Sequence, residues 1–322
     1  MKAEAPGKLI LSGEHSVVYG APALAVPVSK KVKVSFNPDG GDQLQIITDR
    51  LGETELSLQE IQGIPALLDQ NYSAFLNQNL PISDVLNSPF DLLVYTLLQH
   101  GFNRPGSLHI SSDIAAGAGM GSSAAVICAL IKLCGQITGK QITTEQLFQR
   151  VRYCERLQHG RGSAIDAATV TYAKPVKVEA DKVTELSLTL DNNWFIWNSG
   201  EPESTTGETV SEVRRQFGKS SIWNDFSEVT NNLERALEAQ NKGDILQQLR
   251  SNHALLEQIG VVPDGIANVI EKIERSGGAA KICGAGSITG SAGGVVLVYL
   301  PEVTPERIEN NLNIQLEPLL LA

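Results

Sequence analysis

Residues Asp113 to Ala125 read DIAAGAGMGSSAA, and the apolar run VICALIKLC follows at once. Three glycines (Gly117, Gly119, Gly121) and two serines (Ser122, Ser123) therefore open what the spacing predicts to be a helix ending near Gly139. Glycine lowers helix propensity and costs backbone entropy, so a bare backbone here needs a reason. A dinucleotide fingerprint needs glycine at position 122, which is serine. A Walker A loop fails too: the G-K-S at 218–220 has Val213 where the first glycine belongs. What is left is a loop whose N–H groups and following helix dipole suit a polyphosphate carrying Mg2+. The same residues also suit a tight turn closed by a serine N-cap.

Outward from this segment, 322 residues exceed one ordinary core and point to two domains, 1–180 and 181–322. The first 36 residues predict strands in KLILSG and ALAVPVSKKVKVSF. Helical spacing covers about 56–78, then 90–101, and SLHISS at 107–112 alternates like a strand. Thr143 and Gln146 form a capping-box signature for a helix running to about His159. Strand-like segments follow over about 174–198. Helices are expected over about 207–218, 224–240, 243–258 and 264–276. AAKIC and GVVLVYL read as strands around a glycine loop, and a helix starts at Pro305. Strands and helices mix in both halves without strict alternation, which predicts an α+β fold.

Composition narrows the function. Net charge is −10 with no basic patch beyond the short SKKVKV, so no nucleic-acid partner is expected. No apolar stretch is long enough for a membrane span, and the N-terminus does not read as a secretory signal. Cys128, Cys134, Cys154 and Cys283 form no CxxC pair and sit in apolar segments. They read as buried thiols of a cytoplasmic protein, with no zinc site.

Two more segments carry ionisable groups. PGKLILSGEHSVVYG (6–20) sets Lys8, Glu14 and His15 in and after an apolar strand, where polar groups are expensive unless used or paired. ERLQHGRGSAID places Glu155 and Asp166 eleven residues apart across a glycine-rich connection. A solvated helix end and an N-cap aspartate would also account for that pair. Phosphoryl transfer needs a cradle, a metal, a base and a cation. Candidates exist for each: Gly117, Ala118, Gly119, Met120, Gly121, Ser122 and Ser123 for the cradle, Ser123 and Glu155 for Mg2+, Asp166 for the base, and Lys8 for the cation.

These segments resemble, in order along the chain, the motifs of the GHMP kinases, named for galactokinase, homoserine kinase, mevalonate kinase and phosphomevalonate kinase. AGAGMGSSAA resembles the family's P-x-G-A-G-L-G-S-S-A, and ERLQHGRGSAID its E…H-G-x-P-S-G-x-D. KICGAGSITGSAGGVVLV (281–298) resembles its third, glycine-rich motif. The first segment is most like the form in members acting on mevalonate. The resemblance implies a ribosomal protein S5 domain 2-like N-terminal half and a ferredoxin-like C-terminal half. It implies ATP-dependent phosphorylation of the C5 hydroxyl of (R)-mevalonate, with ATP and Mg2+. By position, Asp166 would accept the hydroxyl proton and Lys8 would steady the charge. Ser123 and Glu155 would hold Mg2+. Glu14, His15, Thr205, Gly284 and Ala285 would contact substrate. Family members are often dimers, so a homodimer is one option. A phosphomevalonate or sugar kinase and a non-catalytic metabolite-binding protein are the alternatives. Two departures stand out. The family's Pro-Ser-Gly is Gly162-Ser163-Ala164, and Ser287-Ile288-Thr289 occupies positions usually held by glycine.

Overall fold

The computed structural model describes residues 1–115, 117–160 and 163–322. In chain order it contains β1 (Lys2–Ser12), β2 (Ala23–Pro38), β3 (Gln43–Thr48), β4 (Gly52–Ser57), α1 (Leu58–Ile61), α2 (Ile64–Leu76) and α3 (Asp91–Gln99). There follow β5 (Gly106–Ser112), α4 (Ser122–Thr138), α5 (Thr144–His159), α6 (Ile165–Tyr172), β6 (Val176–Glu179), β7 (Lys182–Glu185) and β8 (Trp194–Asn198). The remainder is α7 (Thr206–Phe217), α8 (Ile222–Glu238), α9 (Lys242–Gln258), α10 (Asp264–Arg275), β9 (Ala279–Ile282), β10 (Val295–Tyr299), α11 (Pro305–Leu312) and β11 (Glu317–Pro318).

Local chemistry explains the boundaries. Thr143 caps α5 through a capping box with Gln146. Gly139, left-handed at φ 68°, ends α4. The helix expected over 56–78 is corrected at its start: Leu56 and Ser57 close β4, and Gly63 with Pro65 splits the remainder into α1 and α2. α6 lies where the sequence reading offered no helix except through Asp166 as an N-cap. Its residues Ile165 and Ala167 to Thr171 are buried almost all round, so no amphipathic stripe marks it.

The described chain falls into two units. The first comprises Met1–Gly7, Lys30–Ile114 and Gly121–Ala173. In it the second half of β2 pairs antiparallel with β5, β5 runs parallel to β3, and β3 pairs antiparallel with β4. Helices α3 to α6 pack on one another around α4, whose Ala124, Ile127, Cys128, Leu130, Ile131 and Cys134 are buried.

The second unit comprises Lys8–Ser29, Ala115–Met120 and Lys174–Ala322. The start of β2 pairs with β6, and β6 with β7. An antiparallel sheet in the order β11-β8-β10-β9 carries α9 and α10 against β9. Ile266, Ile270 and Ile273 recur at helical spacing on α10 and join Ile282, Val296 and Val298 in one apolar cluster. The fold is α+β, as the mixed pattern implied. No helix among the described residues is long and apolar enough to cross a membrane. All four cysteines are free and buried.

Candidate active site

The residues singled out from sequence assemble as two sets, each inside one unit. In the second unit, the end of β1 from Lys8 to Ser12 is buried, and Lys8 is only 2% exposed. The Lys8 N–H donates to the carbonyl of Met120 at 3.0 Å, which ties the cation's backbone to the glycine segment. Gly117 and Gly119 have φ of +63° and +70°. At Gly119 the requirement is also steric: a methyl group there would lie 2.7 Å from the Cys283 carbonyl oxygen and 3.3 Å from Gly284 Cα. The first glycine loop and the third glycine motif thus touch backbone to backbone.

Glu14 and His15 follow β1 and are buried. The Lys281 ammonium on β9 donates to Glu14 Oε1, and both side chains are fully buried. Burial pushes the Glu14 carboxyl above its usual range, and the charge of Lys281 opposes that shift. His15 Nε2 lies 2.9 Å from the Ala285 carbonyl. A carbonyl only accepts, so Nε2 carries the proton in that bond. Burial holds the imidazole below its usual pKa, which favours the neutral ring and leaves Nδ1 as an acceptor. His15 has φ 58° and ψ −48°, a costly conformation outside glycine. A single 3-10 turn, Ser16–Tyr19, follows it, and the Tyr19 ring stacks on Trp223 at 4.2 Å.

A cavity of about 140 Å³ in this unit is lined by Gly117, Gly119, Glu201, Thr205, Cys283 and Ala285 among others. Thr205 is the N-cap of α7. Its hydroxyl donates to Glu208 at 2.8 Å and accepts from the Glu208 N–H at 3.2 Å. Ser287, one of the departures in the third motif, turns inward. It is 1% exposed and its hydroxyl pairs with that of Ser204 at 2.6 Å.

In the first unit, α4 starts after Gly121 (φ 69°), with no side-chain cap. A serine N-cap is therefore not what the glycines serve. Ser123 Oγ donates to Glu155 Oε1 at 3.4 Å and lies 3.4 Å from His159 Nε2. Glu155 is no solvated helix end: it is buried inside α5, which continues to His159. Asp166 stands in the first turn of α6, with Ala164 rather than Asp166 as the N-cap. α6 packs against both α4 and α5, so one helix cluster carries Ser122, Ser123, Glu155 and Asp166. Arg161 and Gly162, where the family's proline is replaced, lie outside the described residues.

The sequence reading missed Lys281 and His159. A lysine inside the apolar AAKIC strand is as costly as Lys8 in its strand, and that signal was available.

Comparison with known proteins shows the family. The GHMP kinases N terminal domain matches residues 90–174, and the GHMP kinases C terminal domain matches residues 233–317. A mevalonate kinase of Archaeoglobus fulgidus is 30% identical, over 89% of this chain and 89% of its own length. The chain belongs to the GHMP kinases. A mevalonate kinase of Thermococcus sibiricus is 27% identical, covering 94% of this chain and 90% of that protein. In fold, the chain is similar to the crystal structure of the Methanococcus jannaschii mevalonate kinase. The TM-score is 0.78 at 22% identity, covering 100% of this chain and 98% of that one. A Streptococcus pneumoniae phosphomevalonate kinase shares the fold at TM-score 0.74 and 17% identity, over 99% of this chain and 100% of that one.

Proposed function

We propose that this GHMP kinase transfers the γ-phosphoryl group of ATP to the C5 hydroxyl of (R)-mevalonate, giving 5-phosphomevalonate and ADP. The observation that carries the proposal is the buried Glu14–His15 corner, pinned to the third glycine motif through Lys281 and the Ala285 carbonyl. It supplies fixed acceptors for a small polyhydroxy acid, in a chain whose relatives cited above are named mevalonate kinases.

The donor set suits ATP and Mg2+. No cluster of three or more His, Cys, Asp or Glu side chains suited to a metal occurs among the described residues. Magnesium needs none when phosphates and water fill most of its sphere and one carboxylate with one hydroxyl completes it. Ser123 and Glu155, 3.4 Å apart, are such a pair. Bound magnesium would neutralise charge on the β- and γ-phosphates.

The chain's own residues would do the remainder. Asp166 takes the proton of the C5 hydroxyl as its oxygen bonds to the γ-phosphorus and the bond to the ADP oxygen breaks. The Lys8 ammonium steadies the charge that develops. Gly117 to Ser123 offer N–H groups to the phosphates. Glu14 and His15 hold the acceptor, with Gly284 and Ala285 as its backbone contacts. The Thr205 hydroxyl proton is held by Glu208, so Thr205 donates to the acceptor only by giving up that bond. Four free buried thiols suit a reducing, cytoplasmic setting.

The test is ADP release with Mg-ATP against (R)-mevalonate, 5-phosphomevalonate, galactose and homoserine. Turnover on mevalonate alone is expected. Turnover on another acceptor and not on mevalonate would overturn the proposal.

A further inference from the structure

Glu14 and Lys281 make the most completely buried charge pair in the second unit, and the pair is left half satisfied. Lys281 donates to Glu14 Oε1 and, at 3.3 Å, to the Ile10 carbonyl. Glu14 Oε2 is buried and has no hydrogen-bond partner among the described residues. A buried carboxylate oxygen without a donor is costly, and natural structures keep such atoms where a ligand or ordered water completes them. Two residues that line the cavity are bonded next to the pair. Cys283, which lines the cavity, donates from its thiol to the same Ile10 carbonyl at 3.5 Å. Ala285, also in the wall, holds the neighbouring His15.

We propose that Lys281 is a positioning residue: it fixes one oxygen of Glu14 and keeps the group a carboxylate, so that Oε2 is presented as an acceptor to a hydroxyl of the acceptor substrate. The phosphoryl-transfer reading supplies the identity of that substrate, and the proposal rests on it to that extent. A buried ammonium in turn requires the carboxylate, since a lone carbonyl would leave its charge uncompensated. A neutral Glu14 would offer a donor at one oxygen and lose the symmetry of a fixed acceptor. The charged and titratable groups facing the pair are Lys8 on β1, Cys283 after β9 and His253 on α9. Burial pushes the Cys283 thiol up to about 11 and His253 down to about 4, so both are neutral around pH 7 and Glu14 carries the local negative charge.

The test uses the full-length protein in two measurements. The first is the isotope-edited infrared carboxyl signal of Glu14 at pH 7, assigned by difference against Glu14→Gln. An ionised band in the wild type and a protonated band in Lys281→Met are expected. The same protonation state in both proteins would overturn the proposal. The second is calorimetric affinity for (R)-mevalonate and for a non-hydrolysable ATP analogue. Lys281→Met should weaken mevalonate binding at least ten-fold, with partial recovery as pH rises and nucleotide affinity within two-fold of wild type. If that variant fails to fold, the neutral pair Glu14→Gln with Lys281→Met removes the buried unpaired charge and serves instead. It should show the same loss of acceptor affinity without the pH recovery. Wild-type acceptor affinity in the double variant, or equal losses for acceptor and nucleotide, would overturn the proposal. Should the panel identify a different acceptor, the measurement is made with that compound. The mevalonate reading then falls while the same pattern of losses sustains the role of Lys281.

Discussion

The two units hold their candidate polar groups in opposite ways. In the first unit Ser123 and Asp166 sit in the first turns of α4 and α6, partly open to solvent, with Glu155 buried beside Ser123. In the second unit Lys8, Glu14, His15 and Lys281 are all buried, on strands and tight turns braced by backbone contacts. Helix starts offer unpaired N–H groups and room for an exchangeable metal and nucleotide. Buried groups on strands offer fixed charge in a low dielectric, where orientation matters more than exchange. The difference separates a set partly open to solvent from a set held in one buried geometry.

The largest expected effect lies in the helical set. Asp166→Asn should lower kcat at least about 100-fold, the usual scale of a lost general base, while leaving nucleotide affinity nearly intact. Single-turnover kinetics beside nucleotide binding checks this, and near-normal turnover would remove Asp166 from the chemistry.

Next comes the braced glycine loop. Gly119→Ala combines left-handed strain with a contact of 2.7 Å to the Cys283 carbonyl. A loss of roughly 1–3 kcal/mol in stability is expected. Gly139→Ala has the same sign of φ and nothing within 4 Å, so it should cost only the strain, about 1 kcal/mol. Denaturant unfolding of both variants compares them, and equal costs would show that the backbone contact contributes nothing.

The second unit should also give the protein an acid-sensitive stability, through His253 on α9. His253 is held neutral by burial, with its pKa pushed from 6.5 to about 4. A depressed pKa means that the unfolded chain binds this proton first. The stability is therefore complete above about pH 6.5 and is lost as pH falls toward 4. His253→Leu should remove up to one proton from that slope, about 1.4 kcal/mol per pH unit. An unchanged slope in urea titrations across this window would show that His253 is not the sensor. The smallest effect returns to the helical set: Ser123→Ala should raise the Mg2+ concentration needed for half-maximal activity about five-fold, one hydroxyl contact's worth. An unchanged Mg2+ requirement would move the metal elsewhere.

Much of this was legible in the sequence where local and global signals agree. α5 announces itself by Thr143 and Gln146, and α10 by its isoleucines at helical spacing. The glycine segment, the first-motif lysine and the two carboxylates were likewise visible, because polar or bare residues interrupt apolar runs. α6 was hidden because a helix buried on nearly every side has no stripe. The interleaving of 8–29 and 115–120 with the later chain was hidden too, since it is set by long-range pairing such as Ala23 with Val178. Lys281 shows the same signal as Lys8, but its meaning depends on Glu14, 267 residues away. No local pattern reports a partner at that distance.

The proposed transfer ends at one hydroxyl, and phosphorus-31 NMR of the product from Mg-ATP and (R)-mevalonate reads out which one. One new phosphomonoester resonance, split by the two protons of a methylene group, is the predicted result, as phosphorylation at C5 requires. A monoester without that splitting, as the tertiary C3 hydroxyl would give, or no new resonance beyond ATP and its hydrolysis products, would rule out transfer to C5.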